Sequence, residues 1–137
     1  MTWIAPAVQR MDEPGIADER AMLEGWLDYH RQTLLWKCSG LTPEQLRTRS
    51  VEPSTLSLLG LVRHMAEVER WWFRRRFAAE PLLDLFCTEA SPDGDFDDVG
   101  SADPESDFAA FAAEVAAARR AAAGHGLDET FHHPRSD

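Results

Sequence analysis

The chain has 137 residues, of which 44% are apolar and 28% charged, and these values are typical of one small globular domain. Its apolar stretches, such as Leu58–Val62, are far shorter than the roughly 20 residues of a membrane span, and no secretory signal pattern opens the sequence. We therefore expect a cytoplasmic protein without a membrane partner. The net charge of −10 lies almost wholly in residues 80–137 and disfavours nucleic acid as a partner, because phosphate backbones are anionic.

The first predicted long helix covers about residues 18–39. Asp18 is a suitable N-cap, apolar side chains recur every three or four residues as far as Trp36, and Gly40 allows a left-handed cap. Thr42-Pro43-Glu44-Gln45 then has the pattern of a capped helix start and predicts a short helical turn.

Two further long helices are predicted, at about residues 57–79 and 104–123. Ser54 or Ser57 caps the earlier one, and Asp103-Pro104 opens the later one. The predicted core stripe of the 57–79 helix is Leu58, Leu61, Met65, Val68 and Trp72. An acidic loop, residues 80–103, contains no Lys or Arg and joins the two helices. The pattern predicts an all-α fold in a single domain, residues 1–137.

His64 is the first candidate site residue. It shares a helix face with Leu61 and Val68, so its imidazole is predicted to point at or beside the core, and Glu67 follows one turn later. Imidazole and carboxylate groups inside a helical bundle are the usual materials of a metal site. The alternative is a histidine at the edge of the core that bonds to Glu67 or to the backbone.

The other histidines and both cysteines are weaker candidates. His30 is predicted either to lie at the solvent-exposed edge of its helix face or to approach His64, and we favour the exposed edge. His132 and His133 are adjacent in an irregular segment and are predicted to form a solvated tail. Cys38 and Cys87 have no Cys-x-x-Cys spacing, so we interpret both as structural, without support for a disulfide between them.

Two patterns imitate known sites. Residues 93–97 copy the start of a calcium loop, but Asp98 replaces the required glycine and Pro104 stands at the position of the bidentate glutamate. Residues 70–76 combine four arginines with three aromatic residues, as in a nucleic-acid patch. Pairing of these arginines with the acidic loop is the simpler interpretation.

The segment Leu58–Phe73, read as Leu-Leu-Gly-Leu-Val-Arg-His-Met-Ala-Glu-Val-Glu-Arg-Trp-Trp-Phe, resembles the second helix of the DinB/YfiT-like metalloenzyme superfamily. The likeness is to its mycothiol-linked, maleylpyruvate-isomerase-like subgroup. It extends from Asp18 through Leu41–Leu46 and the acidic residues 92–98 to about Asp128.

The resemblance implies an up-down-down-up four-helix bundle that is commonly a dimer. It implies a divalent metal, nickel or zinc, held by one histidine of the second helix and by a His-x-x-x-His pair of the fourth. It also implies mycothiol as the thiol cosubstrate. His64 matches the second-helix metal ligand, whereas the sequence contains no His-x-x-x-His. We therefore expect a bundle with three long helices and the fourth absent, and weak metal binding.

Two function hypotheses follow. The leading one is a metal-dependent, thiol-handling transferase or isomerase that acts on a small-molecule electrophile, active or inactive in this truncated form. The alternative is a non-catalytic helical homodimer. A homodimer is expected in either case, because three helices leave an apolar face that a second copy would cover.

Overall fold

The computed structural model describes residues 2–133, and within this range it contains helices and no β-strand. Its elements are α1 (Glu19–Cys38), α2 (Pro43–Arg47), α3 (Leu58–Glu69), a π-helical segment (Arg70–Phe77), α4 (Gly94–Asp97), a 3-10 turn (Val99–Ser101) and α5 (Pro104–Ala122). The long helices are α1, α3 with its π segment, and α5. The predicted all-α fold with three long helices is confirmed, while the up-down-down-up order stays a prediction. Within the described range no helix is both long and apolar enough to cross a membrane.

The chain forms two compact units that divide between Leu46 and Arg47. The single-domain prediction stays a prediction, and each unit is described by itself.

The first unit consists of α1, the segment that precedes it and the residues after it as far as Leu46. Asp18 accepts a hydrogen bond from the Ala21 amide at 2.8 Å, and Gly40 has a φ of +77°, so both predicted caps of α1 are confirmed. Ala5 pairs with the end of the helix, since its amide donates to the Leu41 carbonyl and its carbonyl accepts from the Gly40 amide.

The predicted capping box is also present. The Thr42 amide donates to Oε1 of Gln45 at 3.0 Å, and the Gln45 amide donates to Oγ1 of Thr42 at 3.3 Å. This reciprocal pair fixes the start of α2 and directs Leu46 into the interior, where it is fully buried.

The second unit has its core between α3 and α5. Leu59, Val62 and Ala66 of α3 are fully buried, as are Phe111 and Ala118 of α5. Ser57, and not Ser54, caps α3, because its hydroxyl accepts from the Gly60 amide at 3.0 Å.

The predicted core stripe of α3 is wrong by about one residue position. Leu58, Leu61, Met65 and Val68 are only half-buried, and Trp72 is exposed. The buried face instead includes the charged side chains Arg63, Glu67 and Glu69 beside the three apolar ones. The free-energy cost of burying these charges is reduced because they have hydrogen-bonding or ion-pair partners. Those partners cannot be predicted from the helical periodicity of the sequence.

The helix does not continue in α form to Ala79 as predicted. Residues 70–77 are π-helical, the Ala78 amide donates to the Phe73 carbonyl at 3.0 Å, and Ala79 has a φ of +55°. π segments are rare and occur often at functional sites. Here the π segment supplies Trp71 and Trp72 to a cavity.

The acidic region is more ordered than a loop. It contains α4 and the 3-10 turn, and Gly94, Asp95 and Val99 are buried. Gly94 is needed there, because a Cβ atom at this position would lie 2.3 Å from the Phe86 carbonyl oxygen.

Candidate functional site

The second unit contains a cavity of about 370 Å³ beside α3, which we call the His64 cavity. Its lining residues come from α3, the π segment and the acidic region: His64, Glu67, Val68, Trp71, Trp72, Asp84, Cys87, Pro92, Asp93, Asp95 and Phe96. Those from the helix recur at intervals of three and four residues, so one helix face forms one wall.

His64 and Asp95 form a hydrogen-bonded pair in this cavity. Nδ1 of His64 lies 2.8 Å from Oδ2 of Asp95, and the other oxygen, Oδ1, accepts from the Phe96 amide at 3.0 Å. The Asp95 side chain is 5% exposed and that of His64 is 43% exposed. The imidazole is thus anchored to a buried carboxylate, while part of its ring remains accessible to a ligand.

The ring plane of His64 is also fixed. It lies against the Phe96 ring, with 5.0 Å between the ring centroids. Because Nδ1 is occupied by Asp95, Nε2 is the nitrogen available for chemistry. Asp95 therefore determines both the orientation of the imidazole and which nitrogen carries its proton.

Glu67 is not the partner of His64, so that part of the sequence interpretation is wrong. Its carboxylate is buried and accepts hydrogen bonds from the backbone amides of Phe86 and Cys87. Glu67 holds the segment before α4 against α3 and so helps to shape the cavity.

Cys87 lines the cavity next to Asp95, which sequence spacing did not indicate. Burial raises the pKa of the Cys87 thiol, a backbone hydrogen bond at Asp95 opposes that rise, and the nearby Asp95 and Glu67 carboxylates add to it, so that the pKa is about 11. Cys38, in the first unit, is fully buried, and burial likewise raises its pKa to about 11. Both cysteines are free thiols, and both are protonated at neutral pH.

Arg63 fastens the acidic region to α3, a role that sequence reasoning missed. Its Nε donates to the Asp95 carbonyl at 2.9 Å, and its NH2 donates to the Gly94 carbonyl at 3.0 Å. NH1 makes two hydrogen bonds of 3.1 and 3.2 Å to the buried Asp107 carboxylate of α5. Burial raises the pKa of Asp107 and the Arg63 charge opposes that rise. Arg63 thus sets the position of the backbone that carries Asp95.

A family model described as mycothiol-S-transferase matches residues 22–137. The chain belongs to the mycothiol-S-transferase family. This is a DinB/YfiT-like family, so the resemblance found in Leu58–Phe73 is confirmed at the level of the superfamily. No match was found to a curated protein or to a solved structure.

The arginine-rich segment of this family member makes ion pairs, as predicted, and its partners come from two places. Arg74 pairs with Glu80 and Arg75 with Asp84, both in the acidic region. Arg70 and Arg74 also pair with the buried Glu114 of α5, at 2.9 and 3.1 Å, which the sequence analysis did not foresee.

The contacts of the remaining histidines involve aromatic rings. His30 is exposed and contacts the rings of Trp26 and Tyr29, in agreement with the predicted edge position. The solvated-tail prediction is wrong for His133, whose ring lies 5.4 and 5.8 Å from those of Trp71 and Trp72.

The metal implied by the DinB/YfiT-like resemblance needs three or four protein ligands. Residues 2–133 contain no group of three or more His, Cys, Asp or Glu side chains placed to hold a metal ion. Near His64 the described part of the chain offers one imidazole whose Nδ1 is already bonded to Asp95. These residues do not fit a resident divalent metal, and His64 as a metal ligand stays a prediction.

Proposed function

We propose that this mycothiol-S-transferase family member transfers a mycothiol-type thiol to a small-molecule electrophile in the His64 cavity, with His64 as general base. One observation carries the proposal: the exposed imidazole is bonded through Nδ1 to the buried Asp95 carboxylate, at 2.8 Å, in the wall of a cavity of about 370 Å³.

The chemistry follows from this pair. With Nδ1–H donating to Asp95, the lone pair on Nε2 accepts the proton of the thiol, and Asp95 stabilises the resulting imidazolium. The thiolate sulfur forms a bond to the electrophilic carbon, and the leaving group departs with its electron pair. The proton on Nε2 then passes to the leaving group or to water, which restores the neutral imidazole.

The cavity's own thiol does not compete in this reaction. Since the pKa of Cys87 is raised to about 11, it is almost entirely protonated at pH 7, and the thiolate is the reactive form. A nucleophile must therefore be brought in by a second substrate, in agreement with a family named for mycothiol.

A divalent metal on His64, nickel or zinc, would provide another way to form the thiolate. No step of the proposed reaction passes through it, because the described residues lack the donor set. Calorimetric titration of the metal-free protein with either ion, beside His64→Ala, tests the ligand prediction separately from the activity.

The test of the function measures the conjugation of mycothiol with a bromobimane, followed by the fluorescence of the product. We expect His64→Gln to lower kcat/KM by about 10²- to 10⁴-fold, the range of a lost general base, and Asp95→Asn to lower it by a smaller factor. His125→Gln is the matched control, because His125 is half-exposed, contacts Glu129 and does not line the cavity. Catalysis in His64→Gln equal to that of the control would contradict the proposal.

The alternative, a non-catalytic helical homodimer, has its own support. Trp26 and Leu27 lie one turn after Leu23 on α1, and the three side chains are 56% (Leu23), 39% (Trp26) and 37% (Leu27) exposed. An apolar patch of this kind favours self-association. A homodimer is compatible with either function, and we propose it for both.

A further inference from the structure

Building on the proposed function, we propose that the His64 cavity accepts an uncharged or cationic electrophile with a flat apolar body and rejects anionic ones. Asp93 is the residue that sets this charge preference. The inference rests on the two kinds of wall that enclose the cavity.

One wall is apolar and largely aromatic. Val68, Trp71, Trp72, Pro92 and Phe96 form it, and the two indoles meet edge to face with 4.7 Å between their centroids. Indole faces favour flat apolar groups, and their negative quadrupole also attracts cations. An aryl or other planar substituent on the electrophile is the group that this wall would bind.

The other wall is acidic. The carboxylates that line the cavity are those of Glu67, Asp84, Asp93 and Asp95, and no Lys or Arg lines it in the described part of the chain. Three of the four carboxylates have partners. Glu67 accepts hydrogen bonds from two backbone amides, Asp84 forms an ion pair with Arg75, and Asp95 is hydrogen-bonded to His64.

Asp93 differs from these three. It is exposed, and no ion pair joins its carboxylate to a described residue. It lies directly before α4, within two residues of Asp95. An anionic group bound near His64 would therefore face an uncompensated negative charge.

Arginine and histidine side chains touch the walls without lining the cavity. The Arg76 guanidinium carbon lies 4.5 Å from the centroid of the Trp71 ring, and His133 lies against both indoles. Arg75 is committed to Asp84. None of the three is among the lining residues, so within the described part of the chain an anionic substrate would have no Lys or Arg side chain to bind in the cavity.

The first test compares a matched pair of electrophiles, 4-(bromomethyl)benzamide and 4-(bromomethyl)benzoate, with mycothiol. We expect the ratio of the rate with the neutral amide to the rate with the benzoate to be about tenfold higher for the enzyme than for the uncatalysed reaction. A modest charge repulsion produces a difference of this size. Asp93→Asn should reduce this preference to that of the uncatalysed reaction. Asp97→Asn is the control, because Asp97 is an exposed acid of α4 outside the cavity, and it should keep the preference.

The second test needs no catalysis, so it separates failure of this inference from failure of the proposed function. When Trp3, Trp26 and Trp36 are replaced by Phe in every protein compared, quenching of tryptophan fluorescence by iodide and by caesium reports the charge beside Trp71 and Trp72. We expect Asp93→Asn, and not Asp97→Asn, to increase quenching by iodide and decrease quenching by caesium. Equal quenching in all three proteins, or an unchanged preference for the amide in Asp93→Asn, would overturn the inference.

Discussion

At the scale of single residues, the chemistry of the His64 cavity depends on the hydrogen bond between Nδ1 of His64 and Oδ2 of Asp95. Helical spacing places His64 on a defined face of α3, and this depends on local geometry alone. Asp95 is 31 residues away, and Arg63 holds the backbone of α4 that carries it beside the imidazole. By helical spacing Glu67 is the expected partner of His64, but its carboxylate accepts hydrogen bonds from the backbone amides of residues 86 and 87.

The raised pKa of Cys87 predicts slow alkylation at neutral pH. The rate with iodoacetamide should be low at pH 7 and rise steadily up to about pH 11, because the thiolate is the reacting form and burial disfavours it. In denaturant the same thiol should react faster at every pH below 11. Mass spectrometry of Cys87 against time measures both rates, and Cys87→Ser identifies the contribution of Cys38.

The same shift has a consequence for stability. Below the ordinary thiol pKa of 9.0 both states are protonated, whereas between pH 9 and 11 the unfolded chain loses its thiol protons first. The free energy of unfolding should therefore fall as the pH rises from 9 to 11.

In the alkylation experiment, rapid reaction of Cys87 at pH 7 in the native protein would contradict the burial of its thiol.

At the scale of elements, the ends of helices were predictable and the buried faces less so. The caps at Asp18 and Gly40 and the capping box at Thr42 and Gln45 depend on a few neighbouring residues, and all are present. The buried face of α3 and the two short helical elements of the acidic region depend on distant partners. From the sequence alone the acidic residues 80–103 resemble a solvated loop, because nothing in the sequence shows that Arg63 binds the Gly94 and Asp95 carbonyls.

Gly94→Ala tests how tightly α4 is packed. An added Cβ would lie 2.3 Å from the Phe86 carbonyl oxygen, so the backbone must shift, and Asp95 should move away from His64. We expect a loss of roughly 1–3 kcal/mol of stability, the usual cost of overpacking, together with a fall in kcat/KM. Gly100→Ala is the control, because no atom lies within 4 Å of its added Cβ. Thermal unfolding and the conjugation assay give the two readouts, and equal results for both variants would count against a close fit at Gly94.

At the scale of the whole molecule, the composition indicated a small globular protein but did not indicate its chemistry. Size and helical periodicity predicted an all-α protein, and the ordered set of segments resembling a DinB/YfiT-like bundle predicted the superfamily of the matching family. The catalytic proposal instead required the His64 cavity, whose lining comes from residues 64–72 and 84–96. No local pattern indicates that these two segments meet.

The exposed apolar face of α1 predicts a homodimer. Light scattering coupled to size exclusion should give the mass of two chains, twice 15.4 kDa. Leu27→Glu should shift the protein to a monomer, because a charge buried in an apolar interface is costly. Lys37→Glu, at the exposed end of the same helix, should leave the dimer intact. A monodisperse monomer of the unaltered protein would contradict this prediction.

In the proposed reaction, Asp95 holds the proton of His64 on Nδ1 and leaves Nε2 free to accept the proton of the thiol. Imidazole ¹⁵N chemical shifts of the labelled protein measure this directly, with His64→Gln used to assign the signals. The neutral ring of His64 should show a protonated Nδ1 and an unprotonated Nε2, and Asp95→Asn should abolish that preference. A neutral His64 with its proton on Nε2 would contradict the account.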